Sequence, residues 1–251
     1  MILYEHPLNE RVRTYLRMEH MFYRLSSLIH RDTALDHHYA LHALFELLEV
    51  ASRADIKSDV LKDLDKQKLH LNGFRGNPVI SEQVLDQVIA EVDAAFTQLN
   101  QLNGKCGQDL QENEWLMGIR SRIFIPGGTC EFDLPAYFSW QHKLPEIRRK
   151  NLMDWCVSLQ PLLNGIALLL RLLREAGVTH RVTALAGHFQ QSLPAGRAVQ
   201  LLRIRLPRES GLIPEVSGNR LMLSIRLMHM VDDARVQPIG LDTPFELSLC
   251  A

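Results

Sequence analysis

The feature that most constrains this 251-residue chain is a change in the spacing of its apolar residues near Gly177. Before that glycine they recur every three or four positions, the period of an amphipathic helix. After it they alternate, the period of a strand with one buried face. Val12, Tyr15, Leu16, Phe22, Leu25 and Ile29 predict a helix over 10–29, with Arg13, Arg17 and Arg24 on its other faces. A second helix is expected through Ala40 to Ala51, capped by Thr33 or Asp36, and a third over Ser58 to Leu71, which Gly73 to Pro78 breaks. Val84, Leu85, Val88, Ile89, Val92, Phe96 and Leu99 mark a fourth, opened by Ser81 and closed near Asn103-Gly104. A fifth runs over 112–123, and helix resumes from Pro145 to Ala176 with Gly177 as its cap.

Past Gly177 the segment Arg197 to Leu206 reads as a strand, with Leu202, Ile204 and Leu206 on one face and Leu201, Arg203 and Arg205 on the other. Arg220 to Met230 alternates in the same way, setting Leu221, Leu223, Ile225 and Leu227 against Arg220, Met222, Ser224, Arg226 and Met228. Val182 to Phe189 and Phe245 to Cys250 predict further strands, and Ile2 to Glu5 a short one able to join their sheet. The clusters 207–211, 217–219 and 232–240 read as turns. The expected fold class is α+β: a mainly helical domain over 1–176 followed by a small antiparallel β-rich domain over 177–251. Hydrophobic residues at 46% and charged residues at 23% are enough for a buried core and argue against a disordered chain.

Charge divides along the same line. The chain carries 28 Lys and Arg against 29 Asp and Glu, which excludes a generic polyanion binder held by a large basic excess. Residues 177–251 nevertheless hold eight arginines, no lysine and six acids, a local excess of two positive charges. Alternation places Arg203 with Arg205 on one strand face and Arg220 with Arg226 on another. If those two strands pair, the four guanidinium groups line one surface. Arginine's planar fork suits the carboxylates and carbonyls of a peptide. A solvated polar face of a half-buried sheet has the same pattern.

Catalytic signatures are missing. His38, His42 and Glu46 share a possible helix face at four-residue spacing, as metal ligands can, but the H-E-x-x-H order is absent and a structural or surface role is expected. Gly127-Gly128 lies in neither type of phosphate loop, so Ile125 to Cys130 reads as a sharp turn built on Pro126 and the glycine pair. Cys106, Cys130, Cys156 and Cys250 are far apart without a C-x-x-C pair and are expected to be structural thiols of a reduced, cytoplasmic protein. Met1 to Pro7 lacks the segments of a secretion signal. Leu159 to Leu173, broken by Gln160, Pro161, Asn164 and Arg171, is read as a buried helix rather than a membrane span.

Three stretches carry a resemblance. Tyr4-Glu5-His6-Pro7-Leu8-Asn9-Glu10, with Arg13, Tyr15-Leu16-Arg17 and Glu19, is similar to the N-terminal signature of the ZapD family of bacterial cell-division proteins. Ile125-Pro126-Gly127-Gly128-Thr129-Cys130-Glu131-Phe132-Asp133-Leu134-Pro135 resembles that family's central motif. Ile213-Pro214-Glu215-Val216-Ser217-Gly218-Asn219-Arg220, followed by Ile225-Arg226-Leu227-Met228, resembles its β-region motif. The resemblance implies a cytoplasmic homodimer at mid-cell, with a helical dimerising domain and a β-rich domain that binds the C-terminal tail of FtsZ and cross-links its filaments. It implies no enzymatic activity, no cofactor, no nucleic-acid partner and no membrane insertion. Arg203, Arg220 and Arg226 fall at basic positions of the family pattern, while Arg205 joins them through alternation alone. The chain departs from the pattern at Met222, where a basic residue is expected, and at Phe138, where histidine is expected. A nucleic-acid-binding protein using the same arginine strands is the alternative; the acidic helical part and the lack of lysine in the β part count against it.

Overall fold

A computed structural model describes residues 1–53, 55–193, 198–219, 221–231 and 235–251. The chain forms two compact units, one of Met1–Leu16 with Leu170–Ala251, the other of Arg17–Leu169. The class is α+β, with helices leading and antiparallel sheets following.

Nine α-helices are described: α1 (Glu10–Ile29), α2 (Ala34–Ala51), α3 (Ile56–Asn72), α4 (Glu82–Asn100), α5 (Gln108–Glu112), α6 (Glu114–Ile123), α7 (Pro135–Gln141), α8 (Pro145–Cys156) and α9 (Gln160–Glu175). In the helical unit α2 is the central element, with Ala40, Leu41, Leu44, Phe45, Leu47 and Leu48 all fully buried. Each such leucine contributes roughly 1.5–3 kcal/mol relative to exposure. This helix begins earlier than its apolar pattern suggests because Thr33 caps it: the Thr33 hydroxyl accepts from the Asp36 amide at 3.0 Å and donates to the Asp36 carboxylate at 2.6 Å. The segment expected as one helix over 112–123 is divided by Asn113, whose side chain accepts from the Leu116 amide at 3.0 Å and so starts α6. From α8 through a 3-10 turn at Val157–Leu159 to α9 the chain runs as one helical stretch, long and apolar enough by composition to cross a membrane. Its apolar residues Leu152, Leu159, Leu162, Ile166 and Leu170 are buried within the protein.

Among its described residues the other unit has eight strands. A first sheet has the order β1-β4-β8-β2, formed by β1 (Ile2–Pro7), β4 (Leu201–Leu206), β8 (Thr243–Cys250) and β2 (Val178–Ala184), all antiparallel. A second has the order β3-β6-β5, formed by β3 (His188–Ser192), β6 (Met222–Val231) and β5 (Leu212–Gly218), with β7 (Arg235–Pro238) also paired to β6. The inner faces meet in one core: Leu202, Ile204 and Leu206 of β4 and Phe245 and Leu247 of β8 pack with Leu223, Ile225 and Leu227 of β6. Phe189 of one sheet sits edge-on to Phe245 of the other at 5.5 Å.

Two expectations are corrected. The strand anticipated over Val182 to Phe189 is a hairpin joining β2 to β3, because Ala186 and Gly187 both adopt positive φ, 46° and 76°, and turn the chain between sheets. Parts of two segments read as turns are strands, with Ser217 and Gly218 ending β5 and Arg235–Pro238 forming β7. Gly177, expected as a cap, donates its amide to the Arg174 carbonyl at 3.3 Å just past α9, and a Cβ there would also lie 2.5 Å from the Cys250 sulfur.

Candidate functional site

The strands bearing the nominated arginines do not pair. β4 lies in the first sheet and β6 in the second, and since Leu202, Ile204, Leu223 and Ile225 all point into the shared core, Arg203 and Arg205 face out on one side and Arg226 on the other. The alternation within each strand follows the expected phase, but the single surface lined by all four arginines does not form. Strand periodicity fixes which face a residue occupies and carries no information on which sheet takes the strand. Arg220 lies outside the described residues.

On the outer face of the first sheet, register sets Arg203 between Glu5 of β1 and Ser248 of β8. The Arg203 Nε donates to Glu5 at 3.0 Å, and Arg174 of α9 grips the same carboxylate with two bonds of 2.9 and 2.7 Å. The three side chains are only 18–22% exposed. Arg203 is therefore part of a clamp that ties the N-terminal strand to β4 and α9. Beside this clamp, burial pushes the Cys250 thiol up, while Arg203 and Arg174 pull it partly back. Arg205, one row further out, pairs with Glu246 at 3.7 Å.

The second sheet treats its arginine otherwise. Register places Arg226 between His188 of β3 and Glu215 of β5, and all three are exposed. The Arg226 Nε donates to His188 Nε2 at 3.1 Å, which leaves the two terminal amino groups of the guanidinium facing outward. Among the described residues it makes no ion pair with a carboxylate.

The histidines of α2 do not assemble a metal site. His38 Nδ1 is 2.8 Å from the Tyr137 hydroxyl, while His42 lies 3.6 Å from Glu46, which also receives Arg24. Among the described residues no group of three His, Cys, Asp or Glu is gathered to hold an ion. The buried polar node of this unit is one the sequence reading missed. Arg148 donates to His37 Nδ1 at 2.9 Å, to the Asp32 carbonyl at 2.6 Å and to the Gln141 carbonyl at 2.9 Å. Burial, chiefly, holds the His37 ring below its ordinary pKa, so it stays neutral and accepts the Arg148 bond. Cys106 and Cys156 are buried and raised by desolvation, Cys156 to about 12, which makes both poor nucleophiles.

The model of a family described as "ZapD: Cell division protein" matches residues 16–226. The chain is 49% identical over its whole length to cell division protein ZapD of Ralstonia pickettii (strain 12J), and 50% identical to that of Ralstonia nicotianae (strain ATCC BAA-1114 / GMI1000), covering 99% of each. This chain belongs to the ZapD family.

Each ZapD motif has a structural account. In the first, Tyr4 donates its hydroxyl to the Leu212 carbonyl at 3.3 Å, Glu5 supplies the clamp, and Asn9 caps α1 by accepting from the Val12 amide at 2.8 Å. In the second, Pro126 and Gly127, the latter at φ 69°, form a turn closed by the Gly128 amide on the Ile125 carbonyl at 2.9 Å. A Cβ on Gly128 would come within 2.6 Å of the Arg122 carbonyl, and Pro135 then opens α7. In the third, the Asn219 side chain accepts from the amides of Leu221 and Met222 at 2.8 and 3.0 Å. That turn feeds β6 and presents Arg226. The ZapD signatures thus encode much of the architecture, and Glu5, Arg174 and His188 are neighbours of the nominated arginines that the sequence reading overlooked. Glu5 was visible as a lone acid on a strand opposite Arg203; Arg174 and His188 had no sequence signal.

Proposed function

We propose that this protein is a non-enzymatic, cytoplasmic FtsZ cross-linker that works at mid-cell as a homodimer. Each protomer binds one FtsZ C-terminal tail, and two tails held by one dimer bring two filaments together. The bridging is avidity: once one tail is bound, the neighbouring filament is held at high effective concentration for the second site, without covalent chemistry. Membership of a cell-division family supports the biological setting. The observation that carries the tail-binding reading is Arg226, exposed on an open sheet face with no carboxylate partner among the described residues. Such a group can give a peptide carboxylate a forked, charge-assisted hydrogen bond. Arg220 belongs to the proposed site on the family pattern alone. Arg203 and Arg205 are reassigned to the fold and its rim, since Glu5 and Glu246 already occupy them. The helical unit, Arg17–Leu169, supplies the dimer contact in this proposal.

Co-sedimentation with FtsZ polymers tests the proposal. The purified protein should pellet with filaments of intact FtsZ and bundle them, and should stay in the supernatant with FtsZ lacking its tail. Failure to pellet with intact filaments would exclude the reading.

A further inference from the structure

The face that carries Arg226 is divided in two. β6 sets Met222, Ser224, Arg226, Met228 and Met230 on it, and pairing adds neighbours to each. On one side of Arg226 the adjacent row is polar, Gln190, Ser224 and Ser217, with Met222 beside Ser192 beyond it. On the other side it is apolar: Met228, itself buried at 8% exposure, lies between Ile213 and Pro238, and beyond it Met230 faces Val236. Met230 is 53% and Val236 45% exposed. A solvated face of an antiparallel sheet ordinarily carries polar residues, so an apolar half bordering an arginine without a carboxylate partner calls for a ligand with both characters.

Resting on the reading that the FtsZ tail docks at Arg226, we infer that Met230 and Val236 form an apolar subsite for that peptide. Met230 lies four residues along β6 from Arg226, about 13 Å at strand rise. An extended peptide has the same rise, so a segment whose acidic residue meets Arg226 places a side chain four positions away over Met230 and Val236. The apolar contact then contributes affinity, and the charge contributes register and salt dependence. Methionine suits the role, because its flexible thioether adapts to the shape it meets.

Fluorescence anisotropy with a labelled synthetic FtsZ tail peptide and the full-length protein tests this. Met230→Ser and Val236→Ser should each weaken binding roughly 5- to 10-fold, with unchanged melting temperature and an unchanged dependence on salt. Met230→Leu should keep the affinity, whereas Arg226→Ala should lower it and flatten the salt dependence. If both serine variants bind like the native protein while Arg226→Ala is weakened, the subsite is excluded and the tail reading stands. If Met230→Leu loses as much as Met230→Ser, the contact is not apolar burial and the inference fails. No binding by the native protein would remove the tail reading and the subsite with it.

Discussion

On the outer face of the β1-β4-β8-β2 sheet the arginines of β4 meet carboxylates, Arg203 with Glu5 and Arg205 with Glu246; on the outer face of the β3-β6-β5 sheet Arg226 meets only the imidazole of His188. Both faces belong to one unit and arise from the same alternation of Arg with Leu and Ile. The difference lies in whether the guanidinium engages the glutamate that register sets beside it: Arg203 and Arg205 pair with Glu5 and Glu246, whereas Arg226, opposite Glu215, bonds His188 and keeps donors for a partner. Counting arginines along a strand overstates a binding surface; asking which of them form an ion pair corrects the count.

The contrast can be broken most severely at Glu5. Glu5→Ala leaves two largely buried guanidinium groups without their carboxylate and should cost about 3 kcal/mol, measured by urea unfolding. Arg203→Ala should approach that loss, and neither change should alter tail affinity once the folded fraction is matched. A more moderate effect concerns salt: tail affinity of the native protein should fall steadily as ionic strength rises, and Arg226→Ala should remove part of that slope, as titrations at several salt concentrations would report. Arg205→Ala should change stability by no more than about 0.5 kcal/mol, since its pair with Glu246 is long and partly solvated. Equal losses for Arg203→Ala and Arg205→Ala would erase the distinction between tie and rim.

The gentlest test varies pH. His6, His37, His38 and His42 are all held below their ordinary value of 6.5, in each case first by burial. A depressed folded-state pKa means that the unfolded chain takes up the proton first as pH falls. Stability is therefore full above about pH 6.5 and declines as pH drops through the lower folded values, which thermal melts between neutral and mildly acidic pH would show. His37→Gln should blunt this decline if the Arg148 node contributes to it.

Much of the architecture was legible because burial imposes a period. The phases of Leu202, Ile204 and Leu206, and of Leu223, Ile225 and Leu227, follow directly from alternation, and all six residues lie in the core. Strand partnership was not legible, because alternation is the same whichever sheet receives the strand. The β2–β3 hairpin was hidden by Ala186, an unusual residue at positive φ. β5 was obscured by Pro214, which an edge strand tolerates. Of the nominated site, Arg226 is exposed without a carboxylate partner among the described residues, while Arg203 is claimed by Glu5 of β1, 198 residues away in sequence.

The most direct test compares two single variants at one binding site. A labelled FtsZ tail peptide titrated against equal concentrations of folded Arg226→Ala and Arg203→Ala protein should bind the first roughly 10-fold more weakly than native, about 1.4 kcal/mol, and the second with native affinity. Native affinity for Arg226→Ala together with lost affinity for folded Arg203→Ala would place the tail on the other face and contradict the account.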